Sequence, residues 1–198
     1  MSMMIIYANN KKATIFTDCR VTCTLKDGQV AFYERGQKVY KFNKTIIGII
    51  GNKNYSDKVI ENIKSDSTFE TLKQFVNVKY ETIYDLLLKY LHSEKKNFEN
   101  PNCIVAIAGI NNDKQIVLTY FNTIDFKLHS IIPNDKTYYS QTFCNYNETI
   151  TNQAIHNIIN TTKDENQILF NIDCYLCENN YLHDDTININ KGIESISL

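Results

Sequence analysis

Residues 2–22 read SMMIIYANNKKATIFTDCRVT, and this stretch decides the fold. Two β-prone runs, MMIIYA and ATIFTDCRV, flank the polar segment NNKK, a pattern typical of a β-hairpin. A turn centred on Asn10 places Ser2 opposite Asp18, whereas a shift of half a residue places Ser2 opposite Cys19. Because opposed Cβ atoms in a sheet lie about 4.5–5.5 Å apart, the centred register brings a carboxylate beside the start of the chain.

Further β-prone segments follow the hairpin before the periodicity changes. They read QVAFY, QKVYKF and TIIGIIG, and a strong turn signal, Asp27-Gly28, precedes the first of them. Helical sequence then begins with a capping box, in which Ser67 is followed by Glu70. A longer helix is indicated by apolar side chains that share one face: Ile83, Leu86, Leu87, Tyr90 and Leu91.

The second half of the chain repeats this order of strands followed by helices. The strands read CIVAIAG, QIVLTYF, FKLHSII and TYYSQTF, and a capping box of Thr162 and Glu165 opens the last helix. TININ and GIESISL form a closing hairpin. Strands grouped in hairpins and helices grouped in pairs predict an α+β domain, with antiparallel sheets and helices packed outside them. The helix before Thr162 has an apolar face made of Ile150, Ala154, Ile155, Ile158 and Ile159.

The composition narrows the class of protein and of partner. A chain of 198 residues, 43% hydrophobic and 22% charged, is expected to form a single globular domain spanning 1–198. Its formal charge of −1 gives no electrostatic reason to expect nucleic acid or an anionic membrane as partner. No apolar run approaches the roughly 20 residues that span a bilayer, and the start lacks the features of a secretory signal. Six cysteines without such a signal indicate free thiols and a cytoplasmic location.

Cys174 and Cys177 have the spacing of redox and zinc motifs. They fall inside a predicted helix, however, and no second pair lies at a suitable spacing, so we interpret them as packing residues. The four histidines are scattered, without an HxxxH or HExxH pattern. We therefore expect no metal and no organic cofactor.

Ser2 carries the chemistry of most interest, because removal of Met1 would give it a free amine. Met1 is normally trimmed when the next residue is as small as serine. An α-amine titrates near about 7.7–8.0 in model peptides, so it can act as a base at neutral pH. One residue then holds the nucleophile and the general base together. A lysine oriented by a carboxylate would stabilise the developing negative charge, and a backbone N–H would bind the oxyanion.

The stretch from Ser2 to Thr22 resembles, without a gap, the start of mature proteasome β-type subunits and their bacterial HslV-type relatives. These proteins are N-terminal-nucleophile (Ntn) hydrolases. The next landmarks of that family are matched by Lys38 in QKVYKF and by Gly48 and Gly51 in FNKTIIGIIGN. The order of elements agrees over nearly the whole chain. The resemblance implies a four-layer αββα sandwich, with two antiparallel sheets between helix layers.

The same resemblance implies a role for each matching residue. Ser2 stands in the nucleophile's place, and Asp18 is the acidic partner that orients Lys38. Lys38 stabilises the negative charge, and the Gly48 N–H binds the oxyanion. Arg20 lies beside the acidic residue as an auxiliary group.

Several positions depart from the family pattern. The family usually has a Gly-Ser-Gly loop before its third helix, where this chain reads FCNYNE and offers Asn145 as the substitute. After the fourth helix, Asn180 and His183 stand where the family has an Asp and a Ser near the nucleophile. Serine at position 2 also lacks the methyl group that fixes a threonine rotamer.

These patterns lead to one favoured function and two alternatives. We expect an Ntn amide hydrolase, a proteasome-like peptidase that acts on peptides or proteins. The alternative from another class is a non-catalytic scaffold or assembly subunit with the same fold, and a weaker alternative is a hydrolase of small amides. The family resemblance implies a homo-oligomer, often a ring, and sometimes an unfolding ATPase partner, although the sequence fixes neither ring size nor partner.

Overall fold

The computed structural model describes residues 3–19, 21–24, 27–33, 36–68, 79–144, 148–162, 164–179 and 192–198. Its strands are β1 (Met4–Ala8), β2 (Lys12–Thr17), β3 (Val21–Thr24), β4 (Val30–Tyr33), β5 (Val39–Phe42), β6 (Thr45–Gly51), β7 (Cys103–Ile110), β8 (Ile116–Asn122), β9 (His129–Ile131), β10 (Tyr139–Phe143) and β11 (Ile193–Ser197). The helices with described bounds are α1 (Lys53–Ser65), α2 (Tyr80–Lys95), α3 (Glu148–Thr161) and α4 (Glu165–Glu178).

The strands form two larger sheets and one ribbon. The first sheet has the order β10-β1-β2-β11, and the second has the order β5-β6-β7-β8-β9. Each strand pair within them is antiparallel. Strands β3 and β4 pair only with each other among the described residues. Most neighbouring strands are also consecutive in the chain, although β6 and β7 are separated by the helices α1 and α2.

Three apolar clusters divide the molecule into layers. One lies between the two sheets and includes Met4 and Ile15 from the first sheet and Val39 from the second. Another lies between the second sheet and the helices α1 and α2, and a third lies between the first sheet and the helices α3 and α4. The four-layer α+β sandwich expected from the sequence is confirmed.

Strand β1 is buried on both faces, which explains why it is apolar throughout. Met4 and Ile6 face the second sheet, whereas Ile5 and Tyr7 face the helices α3 and α4. All four side chains have no exposed surface. A strand that alternated polar and apolar residues would leave one of these clusters incomplete.

Gly48 lets the two sheets approach each other closely in the middle of β6. A Cβ atom at this position would lie 2.7 Å from both Ile15 Cγ2 and Met4 Sδ. These distances are too short for carbon or sulfur contacts, so a larger residue would force the sheets apart. The hairpin that begins the chain is thus packed directly on β6.

The register of the first hairpin differs from the centred one. Met4 pairs with Thr17 and Ile5 with Phe16, so the strands follow the half-residue shift instead. This register comes from the turn, in which the Asn9 side chain accepts hydrogen bonds from the amides of Lys11 and Lys12. Asp18 consequently lies next to Met3 rather than opposite Ser2.

Several predicted details are also corrected. The run ATIFTDCRV is broken into β2 and β3, because the chain leaves the first sheet at Asp18. Ile150 was expected on the apolar face of α3, but it is 61% exposed. Helix α4 begins after the predicted cap, at Glu165, and the Thr162 hydroxyl instead accepts a hydrogen bond from Asn171. The helix predicted after Ser67 and the TININ strand fall almost wholly outside the described residues.

Replacement of Gly48 by alanine tests the close approach of the sheets. We expect Gly48→Ala to lower the free energy of unfolding by about 1–3 kcal/mol, because the added methyl group overpacks the contact with Met4 and Ile15. Urea denaturation followed by circular dichroism measures the change. The exposed substitution Ser197→Ala on β11 is the control, and a Gly48→Ala midpoint equal to that of the control would contradict the packing described.

Candidate active site

A buried ion pair joins the ends of the two sheets that lie nearest the start of the chain. Lys38 Nζ donates to Asp18 Oδ2 over 2.8 Å. The two residues are only 4% and 3% exposed. Asp18 directly follows β2 in the first sheet, and Lys38 directly precedes β5 in the second. The predicted partnership of these residues is present in the geometry.

The second oxygen of the Asp18 carboxylate binds the main chain. The Met3 amide donates to Asp18 Oδ1 over 2.6 Å, and the Asp18 amide donates to the Met3 carbonyl over 3.3 Å. Asp18 thus continues the pairing with the β1 side of the hairpin by one residue beyond the end of β2. One carboxylate therefore holds both a lysine ammonium and the third residue of the chain.

The segment that carries Lys38 is fixed by main-chain hydrogen bonds on both sides. The Ile49 amide of β6 donates to the Lys38 carbonyl over 2.9 Å. The Gly36 amide donates to the Cys19 carbonyl over 3.0 Å, so this segment is also tied to the residue after Asp18. The site is consequently built from both sheets and depends on their docking.

The burial of this pair sets strong electrostatic constraints. Removing two charges from water costs several kcal/mol for each ion, and their mutual attraction offsets this only with good geometry and further hydrogen bonds. Asp18 meets that condition, because its oxygens accept from Lys38 and from the Met3 amide. A positive charge held in this way can stabilise negative charge that develops on a nearby group.

The amide directions along β6 bear on the predicted oxyanion donor. Amides alternate between the two edges of a strand, and the Ile49 amide points towards β5. The Gly48 amide therefore points towards β7, where Gly48 pairs with Ala106. An amide that belongs to the ladder is not free to bind a substrate oxygen, which argues against Gly48 in that role.

Gly51 lies at the end of β6, and sequence reasoning assigned it no role. It is the last residue of β6, it is exposed, and its φ of 124° lies in the region that favours glycine. By the same alternation, the Gly51 amide points to the same edge of β6 as the Ile49 amide. At that edge, Gly51 lies past the start of β5. The sequence signal was the position of Gly51 just before Asn52, whose side chain caps α1.

The other predicted site residues lie outside the described residues. These are Ser2, Arg20, Asn145, Asn180 and His183. Cys174 and Cys177 are half-buried in α4. Within the described ranges, no cluster of histidine, cysteine or acidic side chains could hold a metal ion, and no helix is long and apolar enough to cross a membrane.

Two docked antiparallel sheets, covered on both outer faces by helices, define the class of fold as an αββα sandwich. A solved structure with a similar arrangement is that of eukaryotic HslV from Trypanosoma brucei, with a TM-score of 0.57. The match covers 99% of each chain at 11% sequence identity. At this identity the likeness shows the fold alone. No family model and no curated protein match the sequence.

Removal of one member of the ion pair tests its energetic role. We expect Asp18→Asn to lower the free energy of unfolding by about 3–5 kcal/mol, because it leaves the Lys38 ammonium buried without its carboxylate. The asparagine oxygen can still accept from the Met3 amide, so the loss reports on the charge. Urea denaturation of the variant and of the wild type measures it.

The matched control is the double variant Asp18→Asn with Lys38→Met, which removes both charges and keeps much of the lysine volume. We expect it to recover most of the lost stability, since no buried charge is left without its partner. A double variant that is destabilised by the sum of the single variants would show that the two charges do not interact.

Proposed function

We propose that this protein is an Ntn amide hydrolase that cleaves peptide bonds with Ser2, after Met1 has been removed. The observation that carries the proposal is the double use of the Asp18 carboxylate, which binds both Lys38 and the Met3 amide. The fold shared with HslV supports it. In this proposal the terminal serine, the lysine and the carboxylate form one catalytic group.

Covalent geometry supports the assignment of Ser2. The Met3 nitrogen is bonded to the carbonyl carbon of Ser2, so the Ser2 Cα lies about 2.4 Å from that nitrogen. The nitrogen itself is 2.6 Å from Asp18 Oδ1, and the other oxygen of the carboxylate binds Lys38 Nζ. The terminal residue is therefore attached directly to the atom that Asp18 holds.

The chemistry follows the logic of a terminal nucleophile. The Ser2 hydroxyl attacks the substrate carbonyl carbon, and the Ser2 amine takes the hydroxyl proton. The Lys38 ammonium lowers the energy of the negative charge that develops. The C–N bond of the substrate then breaks, and the leaving amine receives the proton. Water hydrolyses the resulting ester by the same steps and restores Ser2.

We assign the oxyanion donor to the Gly51 amide in place of Gly48. By the alternation of amides along β6, the Gly48 amide points towards β7, whereas the Gly51 amide points to the other edge, at the exposed end of the strand. A donor must lie about 2.7–3.1 Å from the developing oxyanion, which a ladder amide does not permit. Arg20, Asn145 and the segment with Asn180 and His183 remain proposed auxiliary groups.

The proposed location, assembly and substrates follow from the resemblance to the HslV-type family. We propose a cytoplasmic homo-oligomer that associates through its helix faces, with peptides or unfolded proteins as substrates and with no metal or organic cofactor. An unfolding ATPase would be a partner of such an assembly. Hydrolysis of small amides is retained as a weaker alternative.

A non-catalytic scaffold is the second candidate, and one observation favours it. The Asp18–Lys38 pair completes a buried contact between the sheets, so its presence is also explained by stability. The absence of the Gly-Ser-Gly loop points in the same direction. A scaffold would retain the fold and the ion pair without a terminal amine at Ser2.

Intact-mass measurement separates the two candidates. The enzyme requires a mass lower than the full sequence by one methionine, and a probe that reacts with terminal nucleophiles should label Ser2. Retention of Met1 in the purified protein, with no labelling at Ser2, would support the scaffold instead.

Substitution of Ser2 tests the nucleophile. We expect Ser2→Ala to abolish hydrolysis of a panel of fluorogenic peptides, with a loss of at least about 10³-fold, because the attacking hydroxyl is removed. Alanine is also small enough for Met1 to be trimmed, so the amine is kept as a control. Ser2→Thr should retain activity, since it keeps the hydroxyl and adds only a methyl group. Equal rates for Ser2→Ala and the wild type would exclude Ser2.

A further inference from the structure

The residues just before β5 carry the lysine of the site, and each is anchored by a different group. The Gly36 amide donates to the Cys19 carbonyl, and the Lys38 carbonyl accepts from the Ile49 amide. Between them, the Gln37 carbonyl accepts from the Tyr40 hydroxyl over 2.7 Å. The first two anchors are main-chain bonds, whereas the anchor of Gln37 is a side chain.

Tyr40 is itself held by helix α1. Its hydroxyl lies 3.1 Å from Asp57 Oδ1, and Asp57 forms an ion pair with Lys53, one turn earlier on the helix. The Lys53 ammonium also reaches the Tyr40 hydroxyl over 3.5 Å. Helix α1 begins two residues after Gly51, so this network links the lysine segment to the proposed oxyanion donor.

The Tyr40 phenol is suited to act as a hydrogen-bond donor. The residue is only 6% exposed, and its ring belongs to the cluster between the second sheet and the helices. Burial, together with the negative charge of Asp57, raises the pKa of Tyr40 above its ordinary value. The phenol therefore keeps its proton at neutral pH. The phenol has one proton and two acceptors, and the Gln37 carbonyl is the nearer of them, at 2.7 Å against 3.1 Å for Asp57 Oδ1.

We propose that Tyr40 is a positioning residue of the active site, which fixes the Gln37 carbonyl and thereby holds Lys38 against Asp18. The inference rests on the proposed function in that Lys38 is the group whose position matters for catalysis. Tyr40 itself touches neither Asp18 nor substrate in this scheme. It acts through the main chain of the residue that precedes the lysine.

A small movement of Lys38 is enough to affect catalysis, because its contact with Asp18 depends on a distance of 2.8 Å. Without the hydroxyl, the buried end of the Tyr40 ring no longer donates to Gln37, and the carbonyl must find another partner. The segment then relaxes, and Lys38 moves with it. A displacement of about 1 Å in a catalytic group can reduce the rate by up to about 10²-fold.

Tyr55 offers a matched control for the loss of a tyrosine hydroxyl. It belongs to the same apolar cluster as Tyr40, and its hydroxyl also donates to a main-chain carbonyl, that of Leu91, over 2.5 Å. This bond joins α1 to α2 and does not involve the lysine segment. Tyr55→Phe and Tyr40→Phe therefore remove the same group from the same core at different places.

The kinetic experiment compares these two variants on a peptide substrate. We expect Tyr40→Phe to lower kcat by about tenfold with KM changed by less than about twofold, since only the geometry of Lys38 is altered. Tyr55→Phe should keep both constants within about twofold of the wild type. Its melting temperature should fall by about as much as that of Tyr40→Phe. Equal kcat values for the two variants would overturn the proposal.

A second measurement does not depend on hydrolysis, so it decides the proposal even if the protein is a scaffold. Lys38 is 4% exposed and should react slowly with an N-hydroxysuccinimide ester, whereas Lys58 has a half-exposed side chain. We expect Tyr40→Phe to increase the modification rate of Lys38 severalfold, as measured by peptide mass mapping, with Lys58 unchanged. Tyr55→Phe should leave the Lys38 rate at the wild-type value.

Asp57→Asn provides a variant that avoids the buried core, because the Asp57 side chain is 44% exposed. It weakens the tie between Tyr40 and α1 but leaves the phenol in place. We expect an increase in Lys38 modification that is smaller than that of Tyr40→Phe. If Lys38 stays protected in both Tyr40→Phe and Asp57→Asn, the hydroxyl does not position the lysine and the proposal fails.

Discussion

The buried contact between Asp18 and Lys38 is the constraint on which the arrangement of the molecule depends. It joins the end of β2 in one sheet to the residue before β5 in the other, and both side chains are almost inaccessible to water. Because unpaired charges at such positions would be strongly destabilising, the two sheets must dock in the relation that brings these residues together. The Met3 amide completes the hydrogen bonding of the carboxylate and ties β1 to the same point.

Close packing of the sheets is the second part of this arrangement. Gly48 lies opposite Met4 and Ile15, where a larger residue would separate the layers and lengthen the reach from Lys38 to Asp18. The glycine that resembled an oxyanion donor in the sequence thus has a packing role in the structure. Gly51, at the exposed end of the same strand, pairs with Cys103 and has a positive φ.

Much of the fold and part of the site could be predicted from the sequence. The grouping of strands and of helices along the sequence predicted the layers. The apolar sequence of β1 agrees with its burial on both faces. The pairing of Asp18 with Lys38 came from a family resemblance, since no local pattern reveals a contact across two sheets. Of the two hairpin registers that the sequence left open, the structure has the one shifted by half a residue. The Asn9 side chain sets the turn, which alternation alone does not show. Periodicity placed Ile150 on the buried face of α3, but it is exposed, because periodicity alone does not show which part of a helix is covered by its neighbours.

The distribution of the charged pair over two sheets also means that the pair forms only when the sheets dock. Asp18 belongs to the first hairpin, and Lys38 is attached to the pair formed by β5 and β6, so neither unit alone contains both charges. A nascent chain with either hairpin formed in isolation would still lack the juxtaposed lysine and carboxylate. Any chemistry that requires this pair is therefore a property of the docked sheets, and a partly folded polypeptide would lack it.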